Sequence, residues 1–280
     1  MSWEDAPSWA EDPLAFLESL GDATDDGFDP GEAALAFAAL DRPKAAIGRY
    51  LAHLERLAND VTAQSASSAE QQASALARVI HELHGYEGDR QTYDDLQNAS
   101  LIRVIDRRKG LPVALGILYL SIARRLGWSL SGLNFPGHFL LSLTVKEQRL
   151  PLDPFNGGET MTAAAMRQLL KSMQGEQAEL TAAYYQPVSD RSVVLRLQNN
   201  IKLRQIRSGD LKAALKCAQA MSAFAPQATE LWREIAMMQM RMENFREAIA
   251  GFERYLEAEP DATLRHKVAA LLQDVKSKLN

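Results

Sequence analysis

The spacing of apolar positions changes character along the chain, and each change predicts a different kind of element. From Pro30 to about Leu83 the period is helical. GEAALAFAALDR, AAIGRYLAHLERLANDV and AEQQASALARVIHELHG predict three helices, with Ile47, Leu51, Leu54 and Leu57 as an apolar stripe on the second. Asp29 ahead of Pro-Gly-Glu is a helix-start signal, and SASSAEQQ reads as a loop running into the next start. A polar link, HGYEGDRQTYDDLQNAS, leads to the helical LIRVIDRRKG, for which Gly110 is the expected stop. Leu111-Pro112 then opens PVALGILYLSIARRLG, where proline suits the first turn because its missing N–H has no partner to lose. This stretch is apolar nearly all round until Arg124-Arg125. It predicts a buried central helix with two cations at its C-terminal dipole.

Between residues 129 and 155 the period drops to two. LSGLNFPG, HFLLSLTV and QRLPLDPF predict short strands, with Lys146-Glu147 turning between the second and third. In HFLLSLTV, His138 shares a side with Leu140, Ser142 and Thr144, the more polar face. A Gly157-Gly158 turn follows, then MTAAAMRQLLKSM and EQAELTAAYY as two helical stretches. From about Ser189 a repeat appears. SGDLKAALKCAQAMSAFAP superposes on MENFREAIAGFERYLEAEP at a spacing of 34 residues, placing Leu211 on Phe245, Ala214 on Ala248 and Pro226 on Pro260. Trp232, Ile235, Ala236, Ala248, Phe252 and Pro260 take the large and small positions of a tetratricopeptide repeat. Gln198 and Lys202 stand where the second copy has Trp232 and Ala236, so the first copy is weaker, and DATLRHKVAALLQDVKSKLN predicts a capping helix.

Composition narrows the class. The 280 residues can hold one large domain or two ordinary ones, and 46% hydrophobic with 24% charged residues is globular. A net charge of −5 argues against bulk nucleic-acid binding, which leaves a basic footprint. The single cysteine cannot make an internal disulfide. MSWEDAPSWAEDPLAF lacks the basic start and apolar core of a secretory signal, and LPVALGILYLSIA is too short to span a bilayer. These readings predict a cytoplasmic protein of bacterial type with no membrane or nucleic-acid partner. The expected boundaries are a polar segment over 1–28, a core domain over 29–186 and a repeat module over 189–280.

The candidate chemistry lies in RRKGLP, FPGHF and LDPFNGG. Together with the repeats, these segments closely resemble a bacterial transglutaminase-like family of SirB type that carries C-terminal tetratricopeptide repeats, over roughly residues 30–275. The implied fold class is α+β: a mostly helical transglutaminase-like (papain-like) core with a small antiparallel sheet, followed by an all-α module. The resemblance implies a cysteine at the start of the central helix, where the dipole favours a thiolate, a histidine base on a following strand and an aspartate orienting it. His138 matches the base and Asp153-Pro154 the orienting pair, but Gly110-Leu111-Pro112 puts proline in the cysteine's place. Ser121 and Ser131 are out of register for that role, and Cys217 lies far downstream at a packing position of the repeat.

Other residues carry weaker expectations. Arg103, Arg107, Arg108 and Lys109 precede the central helix, whose N-terminus and cationic neighbours could hold an anion. An equally open reading is a solvated face paired to Asp94, Asp95 or Asp106. Asn98 and Asn156 line a cleft or cap turns, and His81 and His84 read as ordinary helix-end residues. Trp232 and Gln239 are the candidate partner-binding residues of the repeats. No third ligand beside His138 and Asp153 gives a recognisable metal spacing, and no cofactor is expected. The expectation is a non-catalytic protein-interaction or regulatory module. A hydrolase or acyl-transfer enzyme using His138 and Asp153 without a thiol, and a small-molecule or anion sensor, are the alternatives.

Overall fold

The computed structural model describes residues 7–258 and 262–279; Pro260 of the repeat register, and the first six residues of the N-terminal reading, lie outside the described residues. Its contacts gather into two compact units, Met1–Pro13 with Ala23–Leu197 and Leu14–Asp22 with Gln198–Asn280. In chain order the elements begin with α1 (Pro13–Gly21), α2 (Pro30–Asp41), α3 (Ile47–Thr62) and α4 (Ala69–Ala77), the last running directly into a π-helical turn, Arg78–Leu83. Next, β1 (Glu87–Gly88) pairs in parallel with β2 (Lys109–Gly110), and between them lies α5 (Leu101–Arg107). The buried helix α6 (Pro112–Leu126) follows, then β3 (Ser129–Leu133), β4 (Leu141–Val145), β5 (Gln148–Asp153) and β6 (Glu159–Thr160). After α7 (Ala163–Gln174) comes β7 (Pro187–Val188), which closes an antiparallel sheet of order β6-β5-β4-β3-β7. The remainder is helical: α8 (Asp190–Arg207), α9 (Leu211–Phe224), α10 (Glu230–Arg241), α11 (Phe245–Glu257) and α12 (Ala262–Leu279).

Local chemistry explains the starts and stops. The Asp29 carboxylate accepts from Gly31 N at 2.8 Å to begin α2, and Ser68 with Gln71 forms a reciprocal capping box on α4. Helix α6 starts from an extended Leu111 with Pro112 in its first turn, and every residue from Pro112 to Ala123 is buried. Gly127 ends it in the left-handed conformation at φ 66°. Two glycines let neighbours reach this helix. A Cβ at Gly116 would overlap the Phe139 ring, and one at Gly31 would lie 2.5 Å from Ser121 Oγ. Arg124 grips Asp190 with two nitrogens, at 2.7 and 2.8 Å, while Arg125 bridges Asp29, Glu32 and Glu55.

Three expectations shift. LIRVIDRRKG ends its helix at Arg107, and Arg108 rather than Gly110 takes the left-handed cap at φ 62°. Gly110 is needed instead in β2, where a Cβ would sit 3.0 Å from both Val104 methyls. EQAELTAAYY forms only a 3-10 turn, Ala182–Tyr185, because Leu180, Tyr184 and Tyr185 pack against Leu133, Phe135, Leu140, Met166 and Leu170. The strand expected from His138 begins at Leu141. A turn through Gly137, at φ 74°, precedes it, so His138 sits in a bend ahead of the strand rather than on its polar face.

In the second unit, Ala214, Leu215, Ala218, Ile235 and Met238 form one cluster. Ala236, Ala248, Phe252, Tyr255, Val268, Leu272 and Val275 form the next, and Trp232 packs on both. A close approach falls at Gly251, where a Cβ would meet that of Ala236 at 2.9 Å, one turn from the small residue Ala248. Helix α1 counts with this unit: Leu17 is fully buried, and a Cβ on Gly21 would lie 2.8 Å from the Ala223 carbonyl. Among the described residues no helix is long and apolar enough to cross a membrane.

Candidate functional site

The bend before β4 and the end of β5 bring together the two residues that the motifs single out. His138 Nε2 and Asp153 Oδ1 are 2.9 Å apart, with the side chains 7% and 0% exposed. A carboxylate only accepts, so Nε2 is the donor and Nδ1 is left as the ring's lone-pair nitrogen. Asp153 also accepts from the Phe155 and Asn156 backbone N–H groups through Oδ1 and from Asn156 Nδ2 through Oδ2, at 2.6 Å for the last. Burial raises the Asp153 pKa, but bonds from His138, Asn156 and Phe155 more than offset it and hold the carboxyl below the usual range. Edge-on to the imidazole stands Phe155, with ring centroids 5.9 Å apart, and Tyr93 meets Phe155 in turn at 6.0 Å. The His138 carbonyl accepts from Arg196 Nη2 at 2.7 Å.

Helix α6 packs against the turn Pro154–Asn156 that carries this network. Its first turn holds Pro112, a buried ring with neither hydroxyl nor thiol. Seven residues on, the Tyr119 hydroxyl is buried without a hydrogen-bond partner, and burial, then the Asp153 charge, pushes its pKa up. His138 and Asp153 are thus hydrogen-bonded, and Pro112 at the helix start carries no hydroxyl or thiol proton. Ser121 Oγ donates to Asp29 Oδ2 at 3.0 Å, and Ser131 lies in β3 opposite Ser142. Cys217, expected as a buried packing residue, is half-buried, with Sγ 3.6 Å from the Gln198 carbonyl.

The other candidates divide into two networks. Asn98, fully buried, donates to the Thr92 carbonyl and accepts from Arg107 Nη1 at 2.8 Å, while Arg107 Nη2 reaches Asp89 at 3.0 Å. Hydrogen bonds from Thr92 hold Asp89 well below the usual carboxylate range, and with them this network fastens the loop before α5. Arg108 lies elsewhere, over the Tyr86 ring, donating to the Tyr86 hydroxyl and to His53 Nε2. Burial, then the Arg108 charge, lowers the His53 pKa to about 3. Lys109 pairs with Glu87 at 2.9 Å and His84 with Asp60 at 2.7 Å; Asp106 pairs with Arg49 on α3. The His53–Tyr86–Arg108 cluster escapes the sequence, since its members are far apart in the chain and share no motif.

Asn156 links the His138–Asp153 pair outward: its Oδ1 accepts from Arg90, whose guanidinium stacks on Phe155 at 5.1 Å. In the repeats, Trp232 lies under the Arg254 guanidinium at 3.5 Å. Gln239 is 7% exposed and accepts from Asn244 Nδ2 at 2.7 Å, bracing the turn into α11. Lys202 is buried against Glu234. Among the described residues no group of three or more His, Cys, Asp or Glu could hold a metal ion.

A mostly helical core with a small antiparallel sheet, followed by an all-helical module, is the architecture of the transglutaminase-like class with repeats. The profile of the transglutaminase-like superfamily matches residues 48–199 and that of the tetratricopeptide repeat residues 201–273. The chain belongs to the transglutaminase-like superfamily, in its bacterial SirB-type branch with C-terminal repeats. It is 34% identical over 197 residues to a UPF0162 protein of Pseudomonas aeruginosa, covering 70% of this chain and 72% of that one. A UPF0162 protein of Vibrio cholerae is 28% identical, covering 94% and 99%. Protein SirB1 of Salmonella typhimurium is 25% identical, covering 85% and 88%.

Proposed function

We propose that this protein is a non-catalytic member of its superfamily, working in the cytoplasm as a protein-interaction or regulatory module. The observation that carries the reading is Pro112. It occupies the helix start where the superfamily's chemistry needs a thiol, while the His138–Asp153 pair is kept and closed from solvent. In this reading the pair serves as a clamp joining the bend before β4 to the end of β5. The repeats supply the partner surface: stacked helix pairs present side chains to a peptide or helix. Leu203 on α8, 41% exposed, is an accessible apolar position there, and Trp232 and Gln239 lie on α10. A Leu203→Glu variant tests this in cross-linking from the native host. The expected result is loss of a specific protein adduct that His138→Ala retains, with unchanged circular dichroism in both. An adduct pattern indifferent to Leu203→Glu but lost in His138→Ala overturns it.

A second reading, hydrolysis or acyl transfer without a cysteine, draws on the same hydrogen bond. With Nε2 held by Asp153, His138 Nδ1 is positioned as a base for water. Base catalysis alone is worth about 10²–10⁴-fold, so such an activity is slow but wholly dependent on His138.

A further inference from the structure

Apart from the His138–Asp153 pair, the core unit has a cavity of about 410 Å³. One wall is β1 and the residues after it, Glu87 to Gln91; the other is Phe155 to Gly157 with Glu159. His81, from the π-helical turn, and Lys109 complete it. π-turns are frequent at functional sites, and this one carries the His81 imidazole. His81 Nδ1 lies 2.8 Å from the Tyr86 carbonyl, an acceptor, so Nδ1 carries the proton and the neutral ring's Nε2 offers a lone pair. Gly157, at φ 70°, faces that ring. A Cβ there would lie 2.9 Å from His81 Cδ2, so glycine suits this position on two counts.

Several charges on the walls are already matched. Glu87 pairs with Lys109 at 2.9 Å. Asp89 accepts from the backbone of Gln91 and Thr92, the Thr92 hydroxyl and Arg107. Arg90 and Glu159 remain as exposed charges of opposite sign. The Arg90 guanidinium is oriented in advance, stacked on Phe155 and bonded to Asn156 Oδ1, and a guanidinium carries five donors. The cavity therefore offers one oriented cation, one carboxylate and one imidazole acceptor. A simple anion satisfies the first alone, and a simple cation only the other two.

We infer that this cavity binds a small zwitterion, a free amino acid or a dipeptide. The ligand carboxylate meets Arg90, and its ammonium group meets Glu159 and His81 Nε2. The volume is in the range of small-molecule sites, about 300–1,000 Å³. The inference is independent of the repeat surface, since all its residues lie in the first unit.

Isothermal titration of the full chain with L-glutamine, glycine and glycylglycine tests it, against acetate, methylammonium and N-acetylglycinamide. Binding of at least one zwitterion is expected, at least about tenfold tighter than each of the three controls. Preference between glycine or glutamine and glycylglycine names the ligand as a single residue or a dipeptide. Arg90→Ala and Glu159→Gln, both at exposed positions, each weaken it by about tenfold or more, whereas Arg149→Ala, on the exposed part of β5, leaves it unchanged. Absence of binding up to about 10 mM overturns the proposal. So does acetate or methylammonium binding as tightly as glycine, or affinity that survives Arg90→Ala.

Discussion

At the residue scale, His138 and Asp153 were legible because short sequence patterns surround them, and their contact at 2.9 Å joins two positions 15 residues apart. Two features of the pair were not legible. The Phe155 ring stands edge-on to His138, and Tyr93, from a distant loop, meets Phe155 in turn. The bend holding His138 depends on Gly137 adopting a left-handed backbone in place of the expected strand. With four donors converging on Asp153, Asp153→Ala leaves a buried imidazole and two backbone N–H groups unmatched. A buried donor left without its partner costs about 1–3 kcal/mol, so urea denaturation should show a loss of at least that order; a loss under about 1 kcal/mol contradicts the clamp. His53 gives a pH signature. Its folded pKa, about 3, lies below the ordinary value of 6.5, so below pH 6.5 the unfolded chain binds the proton first and stability falls toward pH 3. The expected slope is about 1.4 kcal/mol per pH unit, measurable by denaturation between about pH 6.5 and 5, and His53→Gln should flatten it. The neighbouring Arg108, His84 and Asp60 share the cluster, and Arg108 is the larger influence.

At the element scale, the long periodic helices were readable, as was the proline start of α6. Two-residue strands were not, because β1, β2, β6 and β7 are too short to alternate and exist only through pairing with distant partners. The segment Glu176–Tyr185 misled for a related reason: its apolar residues fit a helical spacing but reach their contacts from a turn. Gly116 shows how packing overrides propensity. In an exposed helix Gly→Ala stabilises by up to about 1 kcal/mol. Here the added methyl overlaps the Phe139 ring next to His138, so Gly116→Ala should instead destabilise by about 1–3 kcal/mol. Calorimetry decides the sign, and a raised melting temperature would show that α6 does not hold Phe139 so closely.

At the scale of the whole molecule, the repeat period of 34 residues announced the second unit before any contact was known. It gave no hint that α1, nearly two hundred residues upstream, completes the same unit. Apolar spacing marks an amphipathic helix but does not name its partner. Leu17, fully buried on α1, makes the point testable. Leu17→Ala should cost about 2–5 kcal/mol and raise amide exchange in α9–α11, while α6 and the sheet keep their protection. Exchange raised instead in α6 and the sheet would place α1 with the core. The central claim is that the fold kept the frame of a thiol enzyme and uses it for structure. The most direct measurement is the turnover of amide and ester substrates by the wild-type chain beside His138→Ala, with both shown to be folded by circular dichroism. Equal background rates in the two proteins are the predicted result; a wild-type rate about 10²-fold or more above that of His138→Ala would contradict it.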